Sequence, residues 1–545
     1  MHSSFLSTPD KRVHDLKKLF GASSASAAHL LCDRYDADRA AYHILDADLD
    51  DRVLSYGDLQ RESRRVAAGL AAMGIGQGDC VATLMGKSRN YLIALVAIWR
   101  LGAVHVPLFT AFAPPEIALR LEASGAKLIV CDAAQRAKLD TSGAAGWKIV
   151  TTGAPLDGDT DFQTLLASTD PVPPPAAVGG DGALIQIFTS GTTGRPKGVA
   201  VPLRALASFQ IYAEYGLGLC PDDRFWNAAD PGWAYGLYFG ILASLITGVE
   251  SFLYTGGFSP EATARILEDY RITNLAAAPT VYRSLEHAGV DFGKLALRCA
   301  SSAGEPLTPE VNEWAARALG VEVRDHYGQT EAGMMINNHH HPELKAQLRA
   351  GSMGVAMPGW TAEILQESAD APAAPGQLGR VAIDIGASPL FWFDGYIGEP
   401  DKSAQKFSPD GRWYLTGDIG RRDEDGFFYF ASRDDDVIIM AGYRIGPVEI
   451  EAVLTRHPAV LECAAVAVED AVRGEVLEAA VVLAAGFEPS EELSAELQTK
   501  VKREFAAHAY PRQIHYVASI PKTASGKLQR FLVRKTLAER AKLPV

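Results

Sequence analysis

Helix-like and strand-like apolar segments alternate in the first quarter of the chain. Between residues 57 and 73 they are spaced as on one face of a helix, and YLIALVAIWRLGA (91–103) is long enough to form a second helix. The runs DCVATLM (79–85) and KLIVCD (127–132) are short and apolar, as buried strands are. Helices that alternate with strands in this way predict a mainly parallel sheet covered by helices.

A different pattern begins near residue 430, where the apolar FFYF (427–430) is followed by the polar run SRDDD (432–436). The remaining sequence predicts helices over 447–457 and 490–508, strands around 460–468, 476–484 and 513–520, and a last helix near the end. We therefore predict an α/β protein with two domains. The large N-terminal domain (1–433) has helix-covered sheets, the small C-terminal domain (434–545) is α+β, and SRDDD is the candidate hinge.

Length and composition narrow the class of protein. A chain of 545 residues is too long for one hydrophobic core, which agrees with two domains. The net charge of −14 and the lack of a basic stripe argue against a nucleic-acid partner. The six scattered cysteines favour a reducing compartment, and the longest apolar run (237–247) is too short to span a bilayer. We expect a cytoplasmic protein without a transmembrane segment.

The stretch TSGTTGRPKG (189–198) follows ALIQIFT (183–189), a run apolar enough to be a buried strand, and a helix is expected to begin near residue 202. Its glycines let backbone N–H groups approach a phosphate, while its hydroxyls and cations can bind phosphate oxygens. A Walker A loop is excluded because the residue five places after Gly191 is Pro196. The alternative is a mobile surface loop. The phosphate-binding candidates are Thr189, Ser190, Gly191, Thr192, Thr193, Gly194 and Lys197.

This loop closely resembles the signature of the adenylate-forming superfamily, which includes acyl-CoA synthetases, the adenylation domains of peptide synthetases, and luciferases. Five further segments resemble the superfamily's motifs in the superfamily's order: AGEPL (303–307), YGQTE (327–331), YLTGD (414–418), the hinge segment 432–451, and PKTASGK (521–527). The resemblance covers nearly the whole chain. It implies ATP, Mg²⁺ and CoA as reactants or cofactors, and an acyl-adenylate as intermediate.

The resemblance also implies a role for individual residues. Lys527, Thr330 and Glu331 are the catalytic residues, with Glu331 holding the metal. Asp418 binds both ribose hydroxyls. Besides the loop, the nucleotide-binding residues are Gly304, Glu305, Pro306, Tyr327, Gly328, Gln329, Thr330, Asp418, Arg433 and Arg444.

In the family the small domain is mobile. After adenylation it turns about the hinge, at Asp435, and exchanges Lys527 for a face that admits CoA. Gly442 and Tyr443 line the CoA channel on that face. Only 18 residues follow Lys527, so we expect free CoA as the acceptor. Further partners that the resemblance suggests are a second copy of the chain and a lysine acetyltransferase with its deacetylase acting on Lys527.

The segments around DPGW (230–233) and GEP (304–306) are most similar to the acetyl-CoA and medium-chain acyl-CoA synthetase branch. The acyl pocket implied by that branch consists of Trp233, Ala234, Tyr235, Ala303 and Gly328. Acetate-specific relatives have tryptophan at the position of Gly328, so glycine is expected to open space for a longer chain. Each buried methylene contributes about 0.8 kcal/mol. We therefore predict a short- to medium-chain aliphatic acid, with an aromatic acid as the alternative because AYGL (234–237) also resembles benzoate-type ligases.

A non-catalytic nucleotide-binding protein on the same fold is disfavoured because it has no need of Lys527, Glu331 and Asp418 together. His326 is expected to be structural or a pocket wall. The run HHH (339–341) is expected to form an exposed loop, since three successive side chains rarely converge on one metal.

Overall fold

The computed structural model describes residues 8–139, 147–189, 196–436, 438–440, 443–470, 474–505, 509–522 and 528–541. Its α-helices are α1 (Pro9–Phe20), α2 (Tyr56–Ala72), α3 (Arg89–Arg100), α4 (Pro114–Ser124), α5 (Phe162–Leu166), α6 (Leu206–Ile211), α7 (Ala243–Thr247), α8 (Pro260–Asp269), α9 (Pro279–Ala288), α10 (Pro309–Ala318), α11 (Pro400–Ala404), α12 (Pro447–Leu454), α13 (Glu491–Glu504) and α14 (Arg530–Ala541). Short 3₁₀ turns cover Ala133–Lys138, Leu203–Ala205 and Asp434–Asp436, and π-helical turns cover His29–Asp33, Tyr212–Gly216 and Gly236–Leu242.

The strands of the N-terminal part are β1 (Ala40–Leu45), β2 (Asp51–Ser55), β3 (Cys80–Leu84), β4 (Val104–Pro107), β5 (Leu128–Asp132), β6 (Lys148–Thr152), β7 (Thr160–Asp161), β8 (Ala183–Thr189), β9 (Lys197–Pro202), β10 (Arg224–Asn227), β11 (Glu250–Tyr254), β12 (Asn274–Ala277), β13 (Cys299–Ala303), β14 (Val323–Gln329), β15 (Gly333–Asn337), β16 (Ser352–Ala356), β17 (Ala362–Leu365), β18 (Gly379–Asp384), β19 (Trp413–Arg422) and β20 (Phe428–Arg433). The C-terminal part adds β21 (Ile438–Met440), β22 (Tyr443–Ile445), β23 (Val460–Asp470), β24 (Gly474–Leu483) and β25 (Gln513–Tyr516).

A seven-stranded sheet has the order β7-β6-β5-β3-β4-β8-β9 and is parallel up to β8. Helix α3 is buried on all sides from Tyr91 to Arg100, and Arg100 pairs with Asp33 at 2.7 Å. The predicted parallel sheet with its helical cover is confirmed. The loop 189–198 joins β8 to β9 in an antiparallel hairpin, and helical structure starts at Leu203, directly after β9. Strand β9 was not predicted.

The second large sheet has thirteen strands in the order β17-β18-β19-β20-β16-β15-β14-β13-β12-β10-β11-β1-β2. Strands β10 to β14 pair in parallel, and β14 then pairs with β15 in antiparallel fashion. Strands β19 and β20 are also antiparallel, and Asp418 lies opposite Arg433 in their register. This sheet therefore brings together the 303–307, 327–331 and 414–418 segments.

The C-terminal part has its own apolar core, which includes Ile450, Leu477 and Leu497 and lies between the β23-β24-β25 sheet and helices α12 and α13. The α/β class with a larger N-terminal and a smaller C-terminal part is confirmed. The domain boundary between residues 433 and 434 stays a prediction. In the described part of the chain, no helix combines the length and the apolar character needed to cross a membrane.

The expectation of an exposed loop at residues 339–341 is wrong. His339, His340 and His341 are only 2%, 6% and 6% exposed. Backbone N–H groups of His340 and His341 donate to carbonyls of the π-helical turn 212–216, and the ring of His340 is 3.1 Å from the carbonyl of Ala300. Backbone partners thus compensate the burial of the N–H groups of His340 and His341 and of the His340 ring.

Candidate active site

The two ends of the phosphate loop are fixed by the β8–β9 hairpin, where Thr189 pairs with Lys197. The Oγ1 atom of Thr189 is buried and has no hydrogen-bond partner in the described part of the chain. The ammonium of Lys197 lies 4.4 Å from the centroid of the Tyr396 ring. Burial lowers the pKa of Lys197, and the nearby charge of Glu331 opposes that shift. The hairpin thus presents a hydroxyl and a partly desolvated cation at the predicted phosphate site.

Glu331, the predicted metal ligand, lies at the bend between β14 and β15 and is 8% exposed. The hydroxyl of Tyr396 donates to Oε1 of Glu331 at 2.8 Å. Burial and the charge of Glu331 raise the pKa of Tyr396, so this phenol stays protonated as the donor. Tyr396 therefore contacts both Glu331 and Lys197. On the neighbouring residue, Thr330, the carbonyl accepts a hydrogen bond from the hydroxyl of Tyr238 at 3.2 Å.

Asp418, the predicted ribose ligand, is 3% exposed and lies within β19. Its Oδ2 accepts hydrogen bonds from the hydroxyl of Tyr327 and from Nε2 of Gln329, the latter at 2.7 Å. Its Oδ1 lies 3.3 Å from Nη1 of Arg433 on β20. The hydroxyl of Tyr414 orients Gln329 by donating to its Oε1 at 2.8 Å. Four predicted nucleotide-binding residues from three segments are thus in direct contact.

The predicted adenine and acyl segments also meet. Gly304 has φ +99°, and a Cβ on it would lie 2.8 Å from the indole of Trp233. Ala303 is fully buried, and the neighbouring Glu305 pairs with Arg283 at 2.8 Å. Pro306 directly follows Glu305 in the chain. Only glycine at position 304 lets the turn after β13 pack this closely on Trp233.

The aromatic rings of Trp233 and Tyr235 lie at the predicted acyl pocket. The rings of Trp233 and Tyr235 lie 5.7 Å apart, and Ala234 and Tyr235 are 6% and 3% exposed. Burial raises the pKa of Tyr235, so its phenol stays neutral. The side of the pocket formed by these residues is therefore aromatic and uncharged.

The expectation that Gly328 opens a space is wrong. A Cβ at this position would overlap the carbonyl oxygen of Gly333 and would lie 2.7 Å from both Cα and Sδ of Met334. Position 328 is paired with Met334 in the β14–β15 register, directly after a bulge. The side chain of Met334, which is 6% exposed, thus occupies the space predicted at Gly328.

The family model described as AMP-binding enzyme matches residues 32–388. The chain belongs to the family of AMP-binding enzymes. The model described as AMP-binding enzyme C-terminal domain matches residues 449–527.

The mitochondrial acyl-coenzyme A synthetase ACSM4 of Rattus norvegicus is 35% identical to this AMP-binding enzyme over 491 residues, which cover 88% of this chain and 83% of the relative. A solved acyl-CoA synthetase of Brucella canis has 42% identity and a TM-score of 0.76, with 99% of each chain covered. A benzoate CoA ligase of Burkholderia xenovorans LB400 has 28% identity and a TM-score of 0.81, with coverages of 96% and 99%. The resemblance to the adenylate-forming superfamily and its acyl-CoA synthetase branch is confirmed.

Several predicted site residues of this AMP-binding enzyme lie outside the described residues: Ser190, Gly191, Thr192, Thr193, Gly194, Gly442 and Lys527. For Asp435, Tyr443 and Arg444 only the backbone is described. Arg444 is paired with Ile439 across β21 and β22, and Asp435 lies in the 3₁₀ turn after β20. The assignments of these residues stay predictions.

The residues of this AMP-binding enzyme fit a magnesium ion that one carboxylate would hold together with the phosphates of ATP. Glu331 supplies a carboxylate oriented by Tyr396, and the buried Oγ1 of Thr189 lacks a partner among the described residues. Within the described ranges, no group of three or more His, Cys, Asp or Glu side chains is placed to hold a metal. Mg²⁺ usually takes one or two carboxylates together with substrate phosphates, so one carboxylate is sufficient.

Two residues of the site were missed by sequence reasoning, Tyr396 and Lys406. Both precede the YLTGD segment in the sequence. Tyr396 forms an isolated bridge to Val199 on β9, and the ammonium of Lys406 donates to the carbonyl of Thr416 at 2.8 Å. No local motif marks either residue, so only their contacts with Glu331 and Thr416 identify them.

Proposed function

We propose that this protein is an AMP-forming acid–CoA ligase. With ATP, Mg²⁺ and CoA it converts a short- to medium-chain carboxylic acid into acyl-CoA, AMP and pyrophosphate. The observation that carries the proposal is the set of contacts at Asp418, where Tyr327, Gln329 and Arg433 hold a buried carboxylate in place. Tyr396 links Glu331 to Lys197. The charges of Glu331, Lys197, Arg433 and Asp418 all act on Lys406, which supports one nucleotide site with a ribose end and a phosphate end.

The proposed chemistry has two steps. A carboxylate oxygen of the acid forms a bond to the α-phosphorus of ATP, the bond to the bridging oxygen breaks, and pyrophosphate leaves. The sulfur of CoA then forms a bond to the carbonyl carbon of the acyl-adenylate, the thiol loses its proton, and AMP leaves.

Charge stabilisation is the main requirement of the first step, because negative charge builds up on the phosphate oxygens. Lys197 and Lys527 supply cations, and Glu331 holds Mg²⁺. Bound Mg²⁺ adds further neutralisation of the phosphates. Asp418 fixes the ribose, so the α-phosphorus stays in line with the attacking carboxylate.

An aliphatic acid is the proposed substrate because the predicted pocket is uncharged and ends near the flexible side chain of Met334. The aromatic alternative is supported by AYGL (234–237) and by the aromatic wall of Trp233 and Tyr235. All six cysteines are unpaired, which supports the reducing cytoplasm that we propose as its location. A homodimer and acetylation of Lys527 belong to the same proposal.

A panel of carboxylic acids tests this function. The acids are saturated straight chains from acetate to decanoate, together with benzoate, and the readouts are AMP release and acyl-CoA formation. The proposal expects AMP and thioester in equal amounts with an aliphatic optimum. An optimum at benzoate would replace the aliphatic assignment by the aromatic one. ATP turnover that no acid stimulates would contradict the ligase itself.

A further inference from the structure

Lys406 occupies a fixed position beside the nucleotide site. It follows helix α11, and its backbone carbonyl accepts a hydrogen bond from the N–H of Leu415 on β19 at 2.7 Å. Its ammonium donates to the carbonyls of Thr416 at 2.8 Å and Leu415 at 3.4 Å. An ammonium has three N–H donors, so one remains for another acceptor.

Among the described residues, no salt bridge neutralises the charge of Lys406. In the described part of the chain, no carboxylate lies within 4.0 Å of its ammonium. By contrast, Lys402 on the preceding helix pairs with Glu399 at 3.0 Å. Burial lowers the pKa of Lys406, and the more distant charges of Glu331 and Asp418 oppose that shift. Carbonyl oxygens hold the ammonium in place but do not cancel its charge, which is therefore available to an anionic ligand.

Gly417 shows where this charge is directed. The residue has φ +78°, and a Cβ placed on it would lie 3.4 Å from Nζ of Lys406 and 3.7 Å from Nη2 of Arg433. Both cations therefore face the same side of Gly417, next to Asp418. A side chain at position 417 would fill the space between them.

The described charged side chains of the site leave an excess of positive charge. Lys197, Lys406 and Arg433 are cations, while Glu331 and Asp418 are carboxylates. The phosphate nearest to a ribose held by Asp418 is the α-phosphate, because it is attached directly to the ribose.

We propose that Lys406 binds the α-phosphate of ATP and of the adenylate. This inference rests on the proposed function, because it requires the ribose to be bound at Asp418. Lys406 then supplies a cation from the large domain at the reacting phosphorus, in addition to Lys527 of the C-terminal part.

Binding of AMP and of adenosine to the full chain tests the role of Lys406. The two ligands differ only in the α-phosphate, and calorimetry gives both affinities without acid or CoA. Lys406→Gln keeps a donor for the carbonyl of Thr416 but removes the charge, and Lys406→Arg keeps the charge. Lys402→Gln is the matched control, since it removes a lysine that already has a carboxylate partner.

For Lys406→Gln we expect the Kd of AMP to rise about tenfold, which corresponds to about 1.4 kcal/mol, while the Kd of adenosine stays unchanged. Lys406→Arg should retain most of the AMP affinity, and Lys402→Gln should retain all of it. Equal weakening of both ligands in Lys406→Gln would mean a purely structural role and would overturn the proposal, as would unchanged binding of AMP.

A second measurement does not depend on the folding of a variant. In the wild-type protein, AMP should protect Lys406 from acetylation by acetic anhydride, whereas adenosine should not, as read by peptide mass spectrometry. Equal protection by both ligands, or by neither, would contradict a contact between Lys406 and the phosphate. A wild-type protein that binds neither ligand would refute the proposed function, and this inference with it.

Discussion

Truncation of Met334 should lengthen the acid that the enzyme prefers. The side chain of Met334 lies where a side chain at position 328 would begin, with its Sδ 2.7 Å from the ideal Cβ position. Residue 328 is predicted to border the acyl pocket, so we expect the side chain of Met334 to close that pocket. Met334→Ala then removes the closing side chain without disturbing the backbone of β14.

The size of the effect follows from the atoms removed. Met334→Ala deletes Cγ, Sδ and Cε, which is room for about three methylenes of a substrate. Since each buried methylene contributes about 0.8 kcal/mol, kcat/KM should shift by about 2.4 kcal/mol, or roughly 50-fold, in favour of the acid with three more carbons. The same truncation in a buried site lowers the free energy of unfolding by about 2–5 kcal/mol.

The assay is kcat/KM for each straight-chain acid from acetate to decanoate, measured by pyrophosphate release well below the melting temperature of the variant. Met335→Ala is the matched control, because Met335 is fully buried and adjacent residues of a strand face opposite sides of the sheet. The control should lose similar stability and keep the wild-type acid profile. An unchanged optimum in Met334→Ala, or the same shift in both variants, would refute the reasoning.

Three further predictions concern other parts of the site. Lys527→Ala should abolish acid-dependent ATP–pyrophosphate exchange but spare CoA transfer from supplied acyl-adenylate. Equal loss of both half-reactions would contradict the hypothesis that the small domain presents Lys527 for adenylation and a different face for CoA transfer. Tyr396→Phe should lower kcat/KM for Mg·ATP about tenfold, because the O–H donor to the buried carboxylate of Glu331 is lost. Wild-type kinetics in this variant would show that Tyr396 does not orient Glu331. Burial lowers the pKa of His326 to about 3. Below pH 6.5 the unfolded chain therefore gains a proton that the folded chain does not. The free energy of unfolding accordingly decreases as the pH falls from 6.5 towards 3. Urea unfolding at several pH values should therefore show a shallower decline for His326→Gln, and parallel curves would contradict a neutral buried imidazole.

The sequence predicted those parts of the fold and site whose signals are local. The alternation of strand and helix between residues 57 and 132 led to the parallel sheet, because side-chain periodicity reports burial directly. The segments around Tyr327 and Asp418 were recognised from short motifs, and the structure brings these two residues into direct contact.

The remaining features depend on contacts between distant segments. Tyr396 and Lys406 belong to no motif, and their roles follow from contacts outside their own segment. Tyr396 bridges to Val199 on β9 and donates to Glu331, and Lys406 donates to Thr416 on β19. The burial of the histidines at 339–341 was missed because the backbone N–H groups of His340 and His341 donate to carbonyls more than a hundred residues away in sequence. The space at Gly328 was misjudged because its occupant, Met334, is set by the register of an irregular strand pair.

The most direct test of the account is the fate of the carboxylate oxygens of the acid. An acid labelled with heavy oxygen in its carboxylate is converted with ATP and CoA, and the products are weighed by mass spectrometry. If the acid is activated by attack on the α-phosphorus, AMP gains one labelled oxygen and pyrophosphate gains none. Label in pyrophosphate, or formation of ADP and phosphate in place of AMP, would contradict an acyl-adenylate and with it the proposed function.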